Sequence, residues 1–528
     1  MISRRRLLVS AAAVAGVTSG FSLSAESVAR AARNVAPELI VRPGDARYAE
    51  LSGRGHNTRF LAAPDEIWLV HSAAQVEKAV NQATARNQRI TVRSGGHCFE
   101  GLVDDPQFRL LVDTSEMKGI TFDSTMNAFA VEAGATLGEV YKALYEGWGV
   151  TVPGGVCPEV GVSGHVSGGG YGPLSRRFGL SVDHLYAVEV VVADCGGRAR
   201  TVIATRNAGD PNRGLWWAHT GGGGGQFGIV TRFWFRTPGA VGAPTALLPK
   251  PPQRMRKTLV SWPWAQLTEA NFTRLVLNHG AWHAANSAPG SAYSVMHSSL
   301  QLNTLNVGSV KMEIRIDATL PNASQLQDDY IRALSVGVGV DPTITVQEGT
   351  WLAIALEPTP SYGPFTRNKS MGGHLRKPLT AGQIDAVYRS LTDPNRTGFG
   401  LVYLAAYGCA INSVGSADTA VAQRDSVFKL WYSNNWADPA QDANEVEWIR
   451  TLRKAVHAST GGFPVPNDQQ GGGYINYPDV DMRDPGQNTF GVPWYTILYN
   501  DNYPRLQRVK STYDPGNVFR HALSITPS

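Results

Sequence analysis

Three glycine-rich stretches limit what this chain can become more than any other feature. They are "VRSGGH" (Val92 to His97), "PGGVCPEVGVSGHVSGGGYG" (Pro153 to Gly172) and "HTGGGGGQFG" (His219 to Gly228). Glycine reaches backbone angles that other residues resist, and successive free N–H groups can close on an anion. Three such loops at strand ends in one domain can wrap a long, flat, phosphate-bearing ligand. A nucleotide cofactor is the economical reading. Plainer readings stand beside it: His97 as an incidental histidine in a polar turn, and Cys157 as a buried core thiol.

Composition supports a folded protein. Of 528 residues, 43% are hydrophobic, 17% are charged and 13 are tryptophan, and the 56 glycines exceed the ~7% norm in clusters. The length suggests two or three domains. The formal charge is +5, three units of which belong to Arg4, Arg5 and Arg6 near the N-terminus, so no nucleic-acid surface is implied. Residues 1–32 read as a removable export signal. Ser3-Arg4-Arg5-Arg6-Leu7-Leu8 resembles a twin-arginine signal, with an ordinary secretory signal as the alternative and cleavage expected near Ala29 or Ala32. No later stretch approaches the ~18 apolar residues of a membrane span. The four cysteines show no zinc spacing, and a core this large needs no disulfide.

Periodicity organises the rest. "DEIWLV" reads as a strand, Val76, Ala79, Val80 and Ala83 fall at helical spacing, and Ile90-Thr91-Val92 reads as a second strand. A strand, a glycine turn and a helix with Leu137, Val140, Tyr141 and Leu144 on one face repeat the pattern. "LYAVEVVVADCGGRARTV" reads as a hairpin turned at Gly196-Gly197. Beyond about Pro244 the glycine loops stop, and helices ("DDYIRALSVGV", "NEVEWIRTLRKAV") mix with strands ("SVKMEIRIDATL", "GLVYLAAYG"). A domain boundary is expected near 240.

The cofactor class narrows by exclusion. Gly223, Gly225 and Gly228 satisfy G-x-G-x-x-G, but Ile229 onward is a strand where that fingerprint must open a helix. No Walker A sequence exists, which leaves a flavin held by another fold. "VRSGGHCFEG", "GGVCPEVGVSGHVSGGGYGPLSRRFGL", "LWWAHTGGGGGQFGIVT", "YINYPDVDM" and "YDPGNVFR" then carry a resemblance to the berberine bridge enzyme type of FAD-linked oxidase, within the vanillyl-alcohol oxidase fold. Those stretches run from about residue 65 to 525 in the family's order, and within the family the chain is most similar to bacterial oxidases of secondary metabolites and to oligosaccharide oxidases.

The resemblance implies an α+β fold: a PCMH-type FAD-binding domain at 33–240, an α/β substrate domain with an antiparallel sheet at 241–459, and a C-terminal segment at 460–528 returning to the FAD domain. It implies FAD bonded twice, through His97 to the 8α-methyl and Cys157 to C6, while Cys98 is expected to stay unmodified because adjacent side chains on an extended loop diverge. Arg93, Ser94, Gly95, Gly96, Gly164, Gly168, Gly169, Gly228, Tyr474 and Asn517 become cofactor-binding candidates.

For catalysis the resemblance points to Tyr477, before Pro-Asp, as the base, with core packing as the plain alternative. A free phenol has pKa ~10, so it needs a cationic or hydrogen-bonding neighbour. Tyr403 and Tyr407 fall on one strand face, and Tyr407 is the better match to the substrate-side tyrosine. Cys409 stands where many relatives carry glycine. His165 and Tyr171 are lining candidates, His165 rather a structural one. The expected reaction is oxidation of an alcohol, most naturally of a sugar, free or on a natural product, with O₂ reduced to H₂O₂. Lactone formation or oxidative ring closure is the alternative, and a secreted carbohydrate-binding protein without redox chemistry the outside one.

Overall fold

The unbroken apolar run Ile67-Trp68-Leu69 suits a strand buried on both faces, and it lies in a four-stranded sheet. That sheet contains β1 (Leu39–Val41), β2 (Glu66–Leu69), β3 (Ile90–Arg93) and β4 (Leu110–Asp113). Helix Ala73–Ala85 follows β2; Ser72 Oγ caps it by accepting from the Gln75 N–H, and Val76, Ala79, Val80 and Ala83 are buried. The expected β-α-β unit forms with one difference. β4 lies between β2 and β3, parallel to both, and β1 closes the edge antiparallel.

The computed structural model describes residues 36–358, 366–396 and 398–528. The expected export signal, with its arginines and both cleavage positions, lies outside the described residues. Glu38–Ser528 is one compact unit, and among the described residues no helix is long and apolar enough to cross a membrane.

A second, antiparallel sheet holds β5 (Ile120–Asp123), β6 (Ala128–Glu132), β7 (Leu185–Ala193), β8 (Ala199–Thr205) and β9 (Ile229–Phe235), in the order β5-β6-β9-β7-β8. The β7–β8 hairpin turns at Gly196-Gly197, where Gly197 takes φ +76°. β9 is the strand that excludes a dinucleotide fingerprint after the third loop. Helix Leu137–Trp148 begins at a capping box between Thr136 and Glu139 and stops at left-handed Gly149.

The third sheet is antiparallel, with strands β10 (Arg254–Pro263), β11 (Met296–Asn303), β12 (Ser309–Asp317), β13 (Thr343–Thr350), β14 (Arg367–Leu375), β15 (Phe399–Ala406), β16 (Phe428–Trp436) and β17 (Gln470–Gly473). Their order is β13-β10-β12-β11-β15-β16-β14-β17. Alternation decides its two faces. Val310, Met312, Ile314 and Ile316 of β12 are buried with Phe272, Tyr330, Ile384 and Ile449, which come from four helices. Lys311, Glu313 and Arg315 point the other way, into a cavity. The run Gly471-Gly472-Gly473 forms the edge strand β17. A Cβ on Gly473 would lie 2.8 Å from Leu498 Cδ2, so a side chain there would have to push the leucine aside. From Tyr474 on, the chain packs with the second sheet: Ile475, Ile497, Tyr499 and Leu523 join Trp217 and Phe227 in one core. The whole is α+β.

Candidate active site

A cavity of about 780 Å³ runs between the glycine loops and the helix-free face of the eight-stranded sheet, within the ~300–1,000 Å³ range of ligand pockets. Its floor is main chain: Gly95 and Gly96, Gly161 and Gly164, Gly224 and Gly225. A Cβ on Gly95 would strike the Gly161 amide, and one on Gly161 would strike Gly95. The first two loops therefore touch backbone to backbone. At Gly164 a Cβ would meet no atom within 4 Å, so there the missing side chain leaves open space.

His97 and Cys157 line this cavity, one from each of the touching loops. The His97 ring stacks on His56 at 4.1 Å. Burial, helped by His56, lowers its pKa to about 3, so the imidazole is neutral with a nitrogen lone pair to offer. Cys98 differs: its Sγ donates to Glu100 O at 3.1 Å, and burial pushes the thiol up to about 12. Arg93 and Ser94 also line the cavity, but their side chains are engaged elsewhere. The guanidinium holds Asp113 at 3.1 Å, and Ser94 Oγ donates to Ala133 O at 2.6 Å. Toward a ligand they present main chain. His165 Nε2 accepts from the Gly155 N–H at 3.2 Å and braces the Cys157 loop.

The opposite wall carries phenols. Tyr477 and Tyr474 meet edge to face at 5.3 Å, and Trp431 of β16 stacks on Tyr477, also at 5.3 Å. Gly372 of β14 makes room: a Cβ there would lie 2.6 Å from Tyr477 Cδ2. Lys429, also on β16, is buried, its Nζ 3.8 Å from the Tyr474 ring centre, 4.2 Å from that of Tyr477 and 4.6 Å from that of Tyr171. Burial drives its pKa well below that of an ordinary lysine. Lys429 and Trp431 escaped the sequence reading. The signal was a lone cation inside "VFKLWYSNNW", a run otherwise apolar, aromatic and polar-neutral.

Several expectations move. Tyr407 does not line the cavity; it is 1% exposed, its hydroxyl donates to Gln423 O at 3.1 Å, and Tyr403 lines the wall instead. β15 ends at Ala406, and the chain turns through Gly408 (φ +83°) and left-handed Cys409 (φ +55°). The strand alternation linking the two tyrosines stops one residue short. Tyr171 does line the wall, its hydroxyl donating to Ala406 O at 2.6 Å. Gly168, Gly169 and Gly228 lie behind the floor, where their missing side chains admit Asn476, Val421 and Val191 O. Asn517 sits in a turn closed by its N–H on Asp514 O, and the cavity is reached by Phe519, Arg520 and His521.

Residues 64–199 match the FAD binding domain family, and residues 473–526 match the family described as berberine and berberine like. The chain is 52% identical to the aclacinomycin-N/aclacinomycin-A oxidase of Streptomyces galilaeus, over 99% of this chain and 98% of that one. The chain belongs to the berberine-bridge-type FAD-linked oxidases. Among solved structures, aclacinomycin oxidoreductase superimposes with a TM-score of 0.92 at 54% identity, over 93% of this chain and 100% of that one. A glycopeptide hexose oxidase complexed with teicoplanin gives 0.89 at 48%, over 93% and 99%. The fold of this oxidase is thus the PCMH-type FAD-binding fold, and the reading without redox chemistry falls. Its cavity fits FAD: the Gly95–Gly161 contact gives a main-chain floor, Gly164 leaves open space above it, and Ser167 Oγ on its border is buried with no hydrogen-bond partner among the described residues.

Proposed function

We propose that this oxidase carries FAD bonded at both His97 and Cys157 and oxidises a hydroxyl of a sugar, free or attached to a natural product. The observation that carries the reading is convergence. Two residues able to bond a flavin edge and a phenol beneath a buried lysine line the same cavity. Related enzymes whose names specify aclacinomycin, hexose and glycopeptide-hexose oxidation support the substrate class.

FAD held there by the glycine loops, His97 and Cys157 would supply the hydride acceptor, with O₂ as the proposed final oxidant and H₂O₂ as its product. Tyr477 takes the hydroxyl proton while the adjacent carbon gives up its hydride. Trp431 and Gly372 hold the phenol in place, and Lys429 lowers the cost of a phenolate or takes up the proton itself. The apolar faces of Trp431 and Tyr403 suit a sugar ring, and Gln301, Asn303 and Ser433 on the same wall suit its hydroxyls. Export through the twin-arginine route completes the proposal, and a mature N-terminus near residue 30 on protein from the medium would test it.

H₂O₂ release across a panel of sugars and glycosylated natural products tests the activity. Tyr477→Phe should slow substrate-driven flavin reduction ~10²–10⁴-fold, the range for a positioned general base, with the flavin spectrum kept. An unchanged reduction rate would remove Tyr477 as the base.

A further inference from the structure

We infer that Lys369 is a positioning residue that fastens the loop carrying His97 to the loop carrying Tyr477. Resting on the function proposed above, the inference assigns to one buried cation the alignment of cofactor anchor and base.

Lys369 stands on β14 and is 1% exposed. Its Nζ donates to Glu100 Oε2 at 2.5 Å and to Asp479 Oδ1 at 2.9 Å, and lies 3.5 Å from Asp481 Oδ2. Glu100 is three residues beyond His97, and Asp479 two beyond Tyr477. Both carboxylates are buried. A second tie runs beside the first: Asn57 Nδ2 donates to Phe99 O at 2.7 Å and to Asn368 O at 2.9 Å. The Phe99 ring thus held stands edge-on to both His97 (6.4 Å) and Tyr477 (6.0 Å). Helix Asp442–Val456 supplies the remaining cations, Arg450 gripping Asp481 through two bonds and Arg453 lying 3.6 Å from Asp479. Three carboxylates face three cations, with Arg59 nearby.

Burial alone would make Lys369 less basic. Asp479, Glu100 and Asp481 overcome it and hold its pKa above the ordinary value, so the ammonium keeps its charge. Desolvating several charges is expensive, and a buried ion pair is often no more stabilising than apolar packing. What such a cluster contributes is one defined geometry, because a small displacement leaves a carboxylate uncompensated. Here the geometry at stake is that of the two loops that must face each other across the cofactor.

The test uses the full flavin-loaded protein with Glu100→Gln, Asp479→Asn and Lys369→Met. Two readouts are taken: the flavin retained on acid-precipitated protein, and the rate and KM of substrate-driven flavin reduction in the loaded fraction. Glu100→Gln should at least halve retained flavin and leave the reduction rate within about threefold, whereas Asp479→Asn should retain flavin and slow reduction about tenfold or more at similar KM. Lys369→Met should do both. If it fails to fold, the two amide variants, which keep side-chain shape, decide the matter. The inference is overturned if both amide variants shift both readouts together in step with their melting temperature, which marks a purely structural cluster. It is equally overturned if neither readout moves. Complete flavin release from denatured wild type would sink the covalent attachment instead, and the Glu100 arm is then read from flavin lost on dialysis of native protein.

Discussion

Tyr477 is an ordinary phenol in an unusual setting, pressed against Gly372, stacked on Trp431 and capped by Lys429. A methyl group at Gly372 has nowhere to go except through the tyrosine ring. Gly372→Ala should therefore displace the phenol and cost ~10–10² in flavin reduction, as small misplacements of catalytic groups do, while the bound flavin stays. An unchanged rate in stopped-flow would show that Tyr477 tolerates movement. Lys429 sets the pH dependence. With its pKa lowered by burial, the amine can take up a proton that an ordinary, already charged lysine could not. Its removal leaves Tyr477 without that neighbouring proton acceptor. Lys429→Met should move the acid limb of the reduction rate toward pH ~10; a limb that stays in place would remove Lys429 from the proton step.

At the scale of elements, the loops are joined before any cofactor is considered. Gly95 and Gly161 meet at a distance that admits no side chain, which brings His97 and Cys157 to one cavity across 60 positions of sequence. Gly161→Ala should force the loops apart, at a cost typical of overpacking, ~1–3 kcal/mol. Peptide mapping should then find flavin on one of the two residues but not both. In the parent, His97→Ala or Cys157→Ala alone should retain flavin through denaturation, and the double variant should release it. A flavin peptide containing neither residue would defeat the two-point attachment. β15 shows the opposite behaviour: its regular alternation ends one residue before Tyr407, and a four-residue spacing that should align two tyrosines separates them.

At the scale of the whole molecule, His219, His279 and His457 are buried away from the cavity, and burial lowers their pKa values to about 4, 3 and 3 from an ordinary 6.5. The folded state keeps them neutral where the unfolded chain would protonate them. Their contribution is complete above pH ~6.5 and is lost as pH falls toward about 4 for His219 and about 3 for His279 and His457, at ~1.4 kcal/mol per pH unit for each histidine. Calorimetry should show melting temperature dropping steadily across that window, and a flat profile would show that other groups compensate. The sequence alone marked the periodic strands and helices and the glycine loops, because periodicity and backbone permissiveness are local properties, whereas His97 and Cys157 came from the resemblance of their motifs to a known family. It could not separate Gly164, which opens onto the cavity, from Gly168, which gives its space to Asn476, since both read as glycine in a loop. Nor could it select Tyr403 over Tyr407, find Lys429 against three tyrosine rings, or join Glu100 to Asp479 through Lys369. Those depend on which face of the eight-stranded sheet closes over the loops, and only long-range packing of β14, β15 and β16 decided that.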